Sequence, residues 1–209
     1  MEILNCKHMY TTLQKIIEQL NFNSIDAERK SQIQILANYI QKKMDEKGEL
    51  ALNFICTHNS RRSQFSQIWS YTAAFYYNLP IISYSGGVEV TAFNERAVRT
   101  IIEMGFDVNK NGDENPIYTV KCAEEAPELL MFSKLFDDQS VSFHPFGAVM
   151  TCDHADENCP FIPIADARIP LRYEDPKKFD DTELEQKMYH ERSLQIATEL
   201  FYCYSLIKK

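Results

Sequence analysis

The spacing of hydrophobic positions along this chain changes rhythm several times, and each change marks an element. Between residues 11 and 47 apolar positions recur every three or four residues, in two helical pieces broken at Asn21-Phe22-Asn23-Ser24. In the second piece Ile33, Leu36, Ile40 and Met44 form one stripe, and Gly48 is placed to stop it. Ala51 to Ile55 is then an apolar stretch of strand length, interrupted only by Asn53. Helical spacing returns over Ser63 to Tyr77, with Phe65, Ile68, Trp69, Thr72 and Phe75 on one side. Ile81 to Ser85 predicts a second strand, ended by a Ser85-Gly86-Gly87 turn, and Asn94 to Met104 a helix stopped by Gly105. Phe146 to Thr151 is a further buried strand leading into Cys152. A long helix over Thr182 to Ile207 carries Leu184, Met188, Leu194, Ile196, Leu200 and Leu206.

Strand–helix alternation of this kind predicts an α/β fold with a mostly parallel sheet covered by helices on both faces. Ligands of such sheets sit at the carboxyl ends of strands, where Cys56 and Cys152 both fall. Residues 109–145 are less regular. Two extended candidates, Ile117 to Cys122 and Leu129 to Phe136, flank Glu124-Glu125-Ala126-Pro127 and read as an inserted β-hairpin or an edge addition. Cys122 reads as a half-buried strand residue. The expected division is a helical extension over 1–48 and a single α/β domain over 49–209, with the insertion at about 109–145. A packing layer is the default role for the extension, beside an oligomerisation surface or a partner-binding hairpin.

Composition narrows the function. A chain of 209 residues, 44% hydrophobic, can bury one sizeable core. Its net charge of −8 argues against a nucleic-acid or anionic-membrane surface as its main role. An acidic protein that handles anions must therefore create positive potential locally. No apolar run approaches the ~20 residues that span a bilayer. Met1 to Cys6 lacks a basic flank followed by an apolar core, so no secretory signal is expected, and the reading is cytoplasmic. The six cysteines are scattered without metal-type pairs, which favours thiols over structural bridges. The histidines, including His144 and His154, are dispersed and read as surface or loop residues. The residues themselves predict no metal ligand set and no cofactor.

The candidate chemistry lies in Cys56-Thr57-His58-Asn59-Ser60-Arg61-Arg62-Ser63. A thiol, five residues and an arginine form an oxyanion trap: the backbone can curl round a tetrahedral anion with its amides inward, and Arg62 can grip two oxygens at once. Cys56 at the mouth of a helix N-terminus is then a nucleophile, and Ser63 is placed to hydrogen-bond its sulfur. The bland alternative is a buried cysteine ending a strand.

Cys56 to Gln64 (CTHNSRRSQ), followed by Ser85-Gly86-Gly87, resembles the low-molecular-weight protein tyrosine phosphatase family. Cys152-Asp153-His154-Ala155-Asp156-Glu157-Asn158-Cys159-Pro160 is similar to the redox segment of one branch, the thioredoxin-coupled arsenate reductases. Asp175-Pro176 resembles the late Asp-Pro that carries the general acid in both branches. The likeness covers roughly residues 50–205, with the motifs in the family's order. It implies a four-stranded core sheet, and an anion held by Thr57, His58, Asn59, Ser60, Arg61 and Arg62. It also implies attack by Cys56 and proton donation by Asp175. In the reductase branch Cys152 then attacks Cys56, Cys159 attacks Cys152, and a thioredoxin-type reductant resets the pair. In the phosphatase branch water hydrolyses the cysteinyl intermediate of a phosphomonoester. A catalytically idle anion-binding regulatory module is the third class.

Alternatives remain at individual positions. Cys152 and Cys159 also read as a strand-end core residue and an incidental thiol. A helix or strand between them would keep their α-carbons ~10 Å or more apart, so a disulfide requires the intervening polar segment to loop out. Asp175 also reads as a turn residue, with Asp166, Asp180 and Asp181 as nearby rivals. His58 stands where the family commonly has glycine, so backbone strain is expected there. Arg61 replaces a second loop cysteine, and reads as a rim cation or a solvated side chain. Lys177-Lys178 follow Asp-Pro where aryl-phosphate enzymes carry aromatics.

Overall fold

A strand covered on both faces reads as an unbroken apolar run, and Leu50–Cys56, designated β1, is buried at every position. The computed structural model describes residues 8–141, 145–153, 155 and 162–209. Cys159, His154 and His144 therefore lie outside the described residues. Strand β1 pairs in parallel with β2 (Ile81–Gly87) on one side. Between them runs α3 (Arg62–Tyr77), ended by Asn78 at φ 52°. α4 (Glu95–Glu103) follows β2 and begins at Asn94, whose side chain accepts from the Arg96 and Ala97 amides. It is stopped by Gly105 at φ 93°, as expected.

Three antiparallel strands come next: β3 (Asp107–Asn111), β4 (Ile117–Lys121) and β5 (Leu129–Met131). Then β6 (Phe146–Met150) returns to the central sheet, and β7 (Ala165–Pro170) forms its far edge. The sheet order is β2-β1-β6-β7, and every pairing is parallel. α5 (Glu185–Ser205) follows a short 3-10 turn at Pro176–Phe179. Before the sheet stand α1 (Thr11–Glu18) and α2 (Ala27–Asp45), joined through a 3-10 turn at Phe22–Ser24. No helix among the described residues is long and apolar enough to cross a membrane.

Alternate residues of β1 serve two clusters. Leu50, Leu52 and Phe54 join Ile33, Leu36 and Ile40 of α2 and Phe65, Ile68 and Trp69 of α3, together with α5 residues such as Ile196 and Leu200. Ala51 and Ile55 face the other way, with Phe146, Ala148 and Met150 of β6 and with Ala155, which is helical. The expected four-stranded parallel sheet with helices on both faces is the observed one. The packing is close enough that a Cβ on Gly147 would stand 2.6 Å from the Tyr39 ring of α2.

Several expectations are corrected. The expected hairpin is present, with β4 antiparallel to β5, but β3 adds to it on the other side of β4 and makes a separate three-stranded sheet. Its following residues touch β2 through a parallel bridge between Gly87 and Leu135. β3 and β7 escaped the pattern because both are edge strands with exposed polar positions, DVNKN and ADARIP. Gly86 and Gly87 make no turn; they continue β2 opposite Ile55 and Cys56. Their role is close approach. A Cβ on Gly86 would meet the Phe136 backbone at 2.3 Å. Finally, α2 is ended by Lys47 at φ 53° rather than by Gly48, whose amide closes the turn on the Lys43 carbonyl at 3.3 Å.

Gly86→Ala must push main chain against main chain, so it should destabilise the fold by roughly 1–3 kcal/mol, measured by urea unfolding. An unchanged midpoint would mean that the 134–136 segment is free to move away.

Candidate active site

Cys56 ends the central strand, beside Gly87 of β2, and only 3% of it is exposed. The loop after it turns its carbonyls outward. Cys56 O accepts from the Val88 amide (3.3 Å), Thr57 O from the Glu89 amide (2.8 Å) and Ser60 O from the Asn94 amide (3.0 Å). His58 O accepts from the Ser133 hydroxyl (2.9 Å), and Asn59 O from the Gln64 side-chain amide (2.8 Å). None of the amides from His58 to Ser63 donates to a backbone carbonyl among the described residues. A run of free N–H groups at the start of α3 is the physical requirement for holding an anion.

The loop depends on one left-handed residue. Asn59 has φ 45°, a conformation that asparagine tolerates better than most, whereas His58 shows none of the expected strain. Gly87 makes room for it: a Cβ there would lie 2.7 Å from Asn59 N and 2.9 Å from Thr57 O. The Asn59 side chain then sets a direction. Its Oδ1 accepts from the backbone amide of Lys134 (3.0 Å), so its Nδ2 must donate, and it does so to Ser63 Oγ (2.8 Å). Ser63 Oγ then stands 3.1 Å from Cys56 Sγ, where its proton can serve a thiolate. A hydroxyl aimed at the sulfur stabilises it as a leaving group.

Arg62 opens α3 and is largely buried. Its Nη2 donates to Asp175 Oδ2 at 2.8 Å and its Nη1 to the Tyr173 carbonyl at 3.3 Å. Its Nε is buried without an acceptor among the described residues. An unpaired buried donor costs about 1–3 kcal/mol, which an oxyanion in the loop would relieve. Asp175 Oδ1 in turn caps the 3-10 turn by accepting from the Lys177 amide (3.0 Å). The rival carboxylates are engaged elsewhere. Asp166 pairs with Lys43 and Tyr39, Asp180 meets Arg61 and Tyr189, and Asp181 meets Arg96.

Cys152 stands at the carboxyl end of the neighbouring strand β6, because the Thr151 amide donates to Ile55 O at 2.8 Å. Its sulfur lies 3.5 Å from Thr57 Oγ1 and accepts from the Ala155 amide at 3.3 Å. The site thus gathers Cys56, Thr57, Asn59, Arg62, Ser63, Cys152 and Asp175. The side chains of His58, Ser60 and Arg61 turn aside: His58 pairs with Glu89 (3.3 Å), Ser60 with the Ala92 carbonyl (2.7 Å) and Arg61 with Tyr189 (2.7 Å). A cleft of about 480 Å³ runs along this outer side, between His58, Asn94, Asp113 and Lys177. Sequence reasoning missed Gln64 as a brace, and also missed Lys134 and Tyr189. Gln64 adjoins the motif, but no local pattern singles out the other two. Among the described residues no group of three or more His, Cys, Asp or Glu is arranged to hold a metal ion.

No family model matches the chain. It is 28% identical over 138 residues to arsenate reductase 2 of Staphylococcus epidermidis, covering 64% of this chain and 81% of that one. It is 29% identical over 133 residues to the arsenate reductase of Halalkalibacterium halodurans, covering 64% and 78%. In structure it is similar to a low-molecular-weight phosphotyrosine phosphatase from Vibrio cholerae O395, with a TM-score of 0.52 at 14% identity, covering 74% and 93%. A YwlE mutant from Bacillus subtilis matches with a TM-score of 0.50 at 13% identity, covering 77% and 99%. The fold is therefore that of the low-molecular-weight phosphatases. The curated proteins that its sequence resembles are arsenate reductases.

Lys134 adds a pH signature. Its side chain is buried, with Nζ over the Phe132 ring and 3.3 Å from the Phe132 carbonyl. Burial lowers its pKa from the usual 10.5 to about 8, with Asp138 opposing the shift. Between those values the unfolded chain holds a proton that the folded chain has released, so stability rises with pH. Relative to Lys134→Met, the wild type should gain about 2 kcal/mol of unfolding free energy between about pH 7.5 and about pH 9.5. Parallel pH profiles in denaturant titrations would show the ammonium to be solvated instead.

Proposed function

We propose that this chain is an enzyme that reduces arsenate to arsenite through Cys56, Cys152 and Cys159. The observation that carries this reading is the Arg62 side chain, with Nη2 on the Asp175 carboxylate and an unmatched Nε at the mouth of a loop of free amides. A tetrahedral dianion supplies acceptors for all of these at once. On its arrival Asp175 yields Nη2 and faces the oxygen that must leave.

The steps then balance as follows. Cys56 sulfur attacks arsenic, and an oxygen departs as water with the proton from Asp175. The loop amides and Arg62 hold the remaining oxygens through the five-coordinate transition state. Cys152 attacks the Cys56 sulfur, and the sulfur–arsenic bonding pair stays on arsenic, which leaves as arsenite. Cys159 attacks Cys152 and frees Cys56. A dithiol reductant of the thioredoxin type reduces the Cys152–Cys159 bridge, supplying the two electrons gained by arsenic. Re-reduction at each turnover suits a reducing compartment, and we assign the protein to the cytoplasm.

Phosphomonoester hydrolysis is the second reading, favoured by the phosphatase fold and by the fact that Cys56, Arg62 and Asp175 suffice for it. One pair of assays separates the two. Arsenate with thioredoxin, thioredoxin reductase and NADPH should be turned over by the wild type. Cys56→Ser, Cys152→Ser and Cys159→Ser should each lower that rate by at least about a hundredfold. Para-nitrophenyl phosphate hydrolysis lost in Cys56→Ser but intact in Cys152→Ser, without arsenate turnover, makes the protein a phosphatase. Silence in both assays removes the enzymatic reading and leaves an anion-binding module.

A further inference from the structure

Arg61 is only 11% exposed, in a loop expected to present it to solvent. Its Nε donates to Tyr189 Oη at 2.7 Å, and its Nη2 reaches Asp180 Oδ2 at 3.4 Å. The Tyr189 hydroxyl donates to the other Asp180 oxygen at 2.7 Å, which closes a three-membered ring of side chains. Burial, reinforced by Asp180, raises the Tyr189 phenol above its usual range, so it remains a donor throughout working pH. Arg96 of α4 holds the same segment from the other side. Its Nε meets Glu185 at 2.6 Å, its Nη2 meets Asp181 at 2.6 Å, and its Nη1 lies 3.9 Å from Asp180.

The partners of these bonds share one short stretch of chain. Asp175 ends in the 3-10 turn Pro176–Phe179, Asp180 follows at once, and Asp181 adopts φ 62° before α5 begins. Arg61 and Arg62 are consecutive. One grips the residue that closes the turn, the other the residue that opens it. Two fixed points five residues apart define both the position and the tilt of the turn between them.

We propose that Arg61 is a positioning residue which, through Tyr189 and Asp180, holds the Asp175 turn in register with the oxyanion loop. The Arg62–Asp175 contact must open when an anion takes Nη2, and at that moment Arg61 still ties the loop to the far end of the turn. The proposal rests on the reading of Asp175 as proton donor. Arg61 is not an anion ligand: turning it inward would strip Tyr189 and Asp180 of their partner.

The test uses leaving groups that differ in their need for a proton. Wild type, Arg61→Met, Arg61→Lys and Asp175→Asn are compared on phenyl phosphate and on 2,4-dinitrophenyl phosphate. Arg61→Met should lose about tenfold to a hundredfold in kcat/KM on the first ester and no more than a few-fold on the second, following Asp175→Asn in kind. Arg61→Lys, which can reach Asp180 or Tyr189 but not both, should recover part of the loss. Equal losses on both esters, or none, overturn the proposal. If Asp175→Asn shows no preference between the esters, it is the proton-donor reading that fails. Amide hydrogen exchange decides the structural claim even without turnover. In Arg61→Met, residues 176–184 should exchange faster while β1 and β6 keep their protection. Unchanged exchange over 176–184 overturns it.

Discussion

A single main-chain hydrogen bond orients the polar network beside the Cys56 sulfur. A side-chain amide can present either end, and a hydroxyl can rotate, but the Lys134 backbone N–H can only donate. It therefore orients Asn59, whose side-chain amide donates to Ser63 Oγ, and that hydroxyl stands 3.1 Å from Cys56 Sγ. The conformation of Asn59 that permits this is left-handed, and the closeness of the Asn59 and Thr57 backbone requires that β2 end in glycine. The Gly87 amide itself donates to the Lys134 carbonyl at 2.8 Å. The inserted segment is thus part of the structure of the loop, since it supplies the donor from which the chain of bonds starts.

The electrostatics follow a related logic. A protein of net charge −8 gains little from surface cations when it must attract an anion. Here the arginines near the loop are matched to carboxylates: Arg62 to Asp175, Arg61 to Asp180, Arg96 to Asp181 and Glu185. The unmatched donors are main-chain amides and one guanidinium Nε. Such donors are fixed by the fold and need no reorganisation as charge moves during reaction.

How much of this could be read beforehand depended on the range of the interaction. β1 and β6 were legible because buried strands are almost wholly apolar, and α3 and α5 because long helices carry many apolar positions at helical spacing. β3 and β7 were not, since an edge strand with wet positions has the composition of a loop. The loop from Cys56 to Ser63 was legible as a contiguous motif. The role of Arg61 was not, because both its partners lie more than a hundred residues away, in Asp180 and Tyr189. Strain was expected at His58 from the identity of the residue, yet the backbone assigns it to Asn59, one position on. Gly86 and Gly87 were noticed for the wrong reason: bend propensity is a local property, whereas the closeness of Phe136 and Asn59 is tertiary.

The parallel register of β1 and β6 has an evolutionary corollary. Because Ile55 stands directly beside Met150, the two sulfur-bearing ends are juxtaposed by the sheet itself and not by the ninety-odd residues of chain that connect them. The connecting excursion can lengthen, acquire its own small sheet or diverge in loop composition while the thiol geometry stays invariant. What it must conserve is the short stretch that returns to dock on β2. Related sequences should therefore vary freely in the size of this excursion but sparingly at the docking stretch.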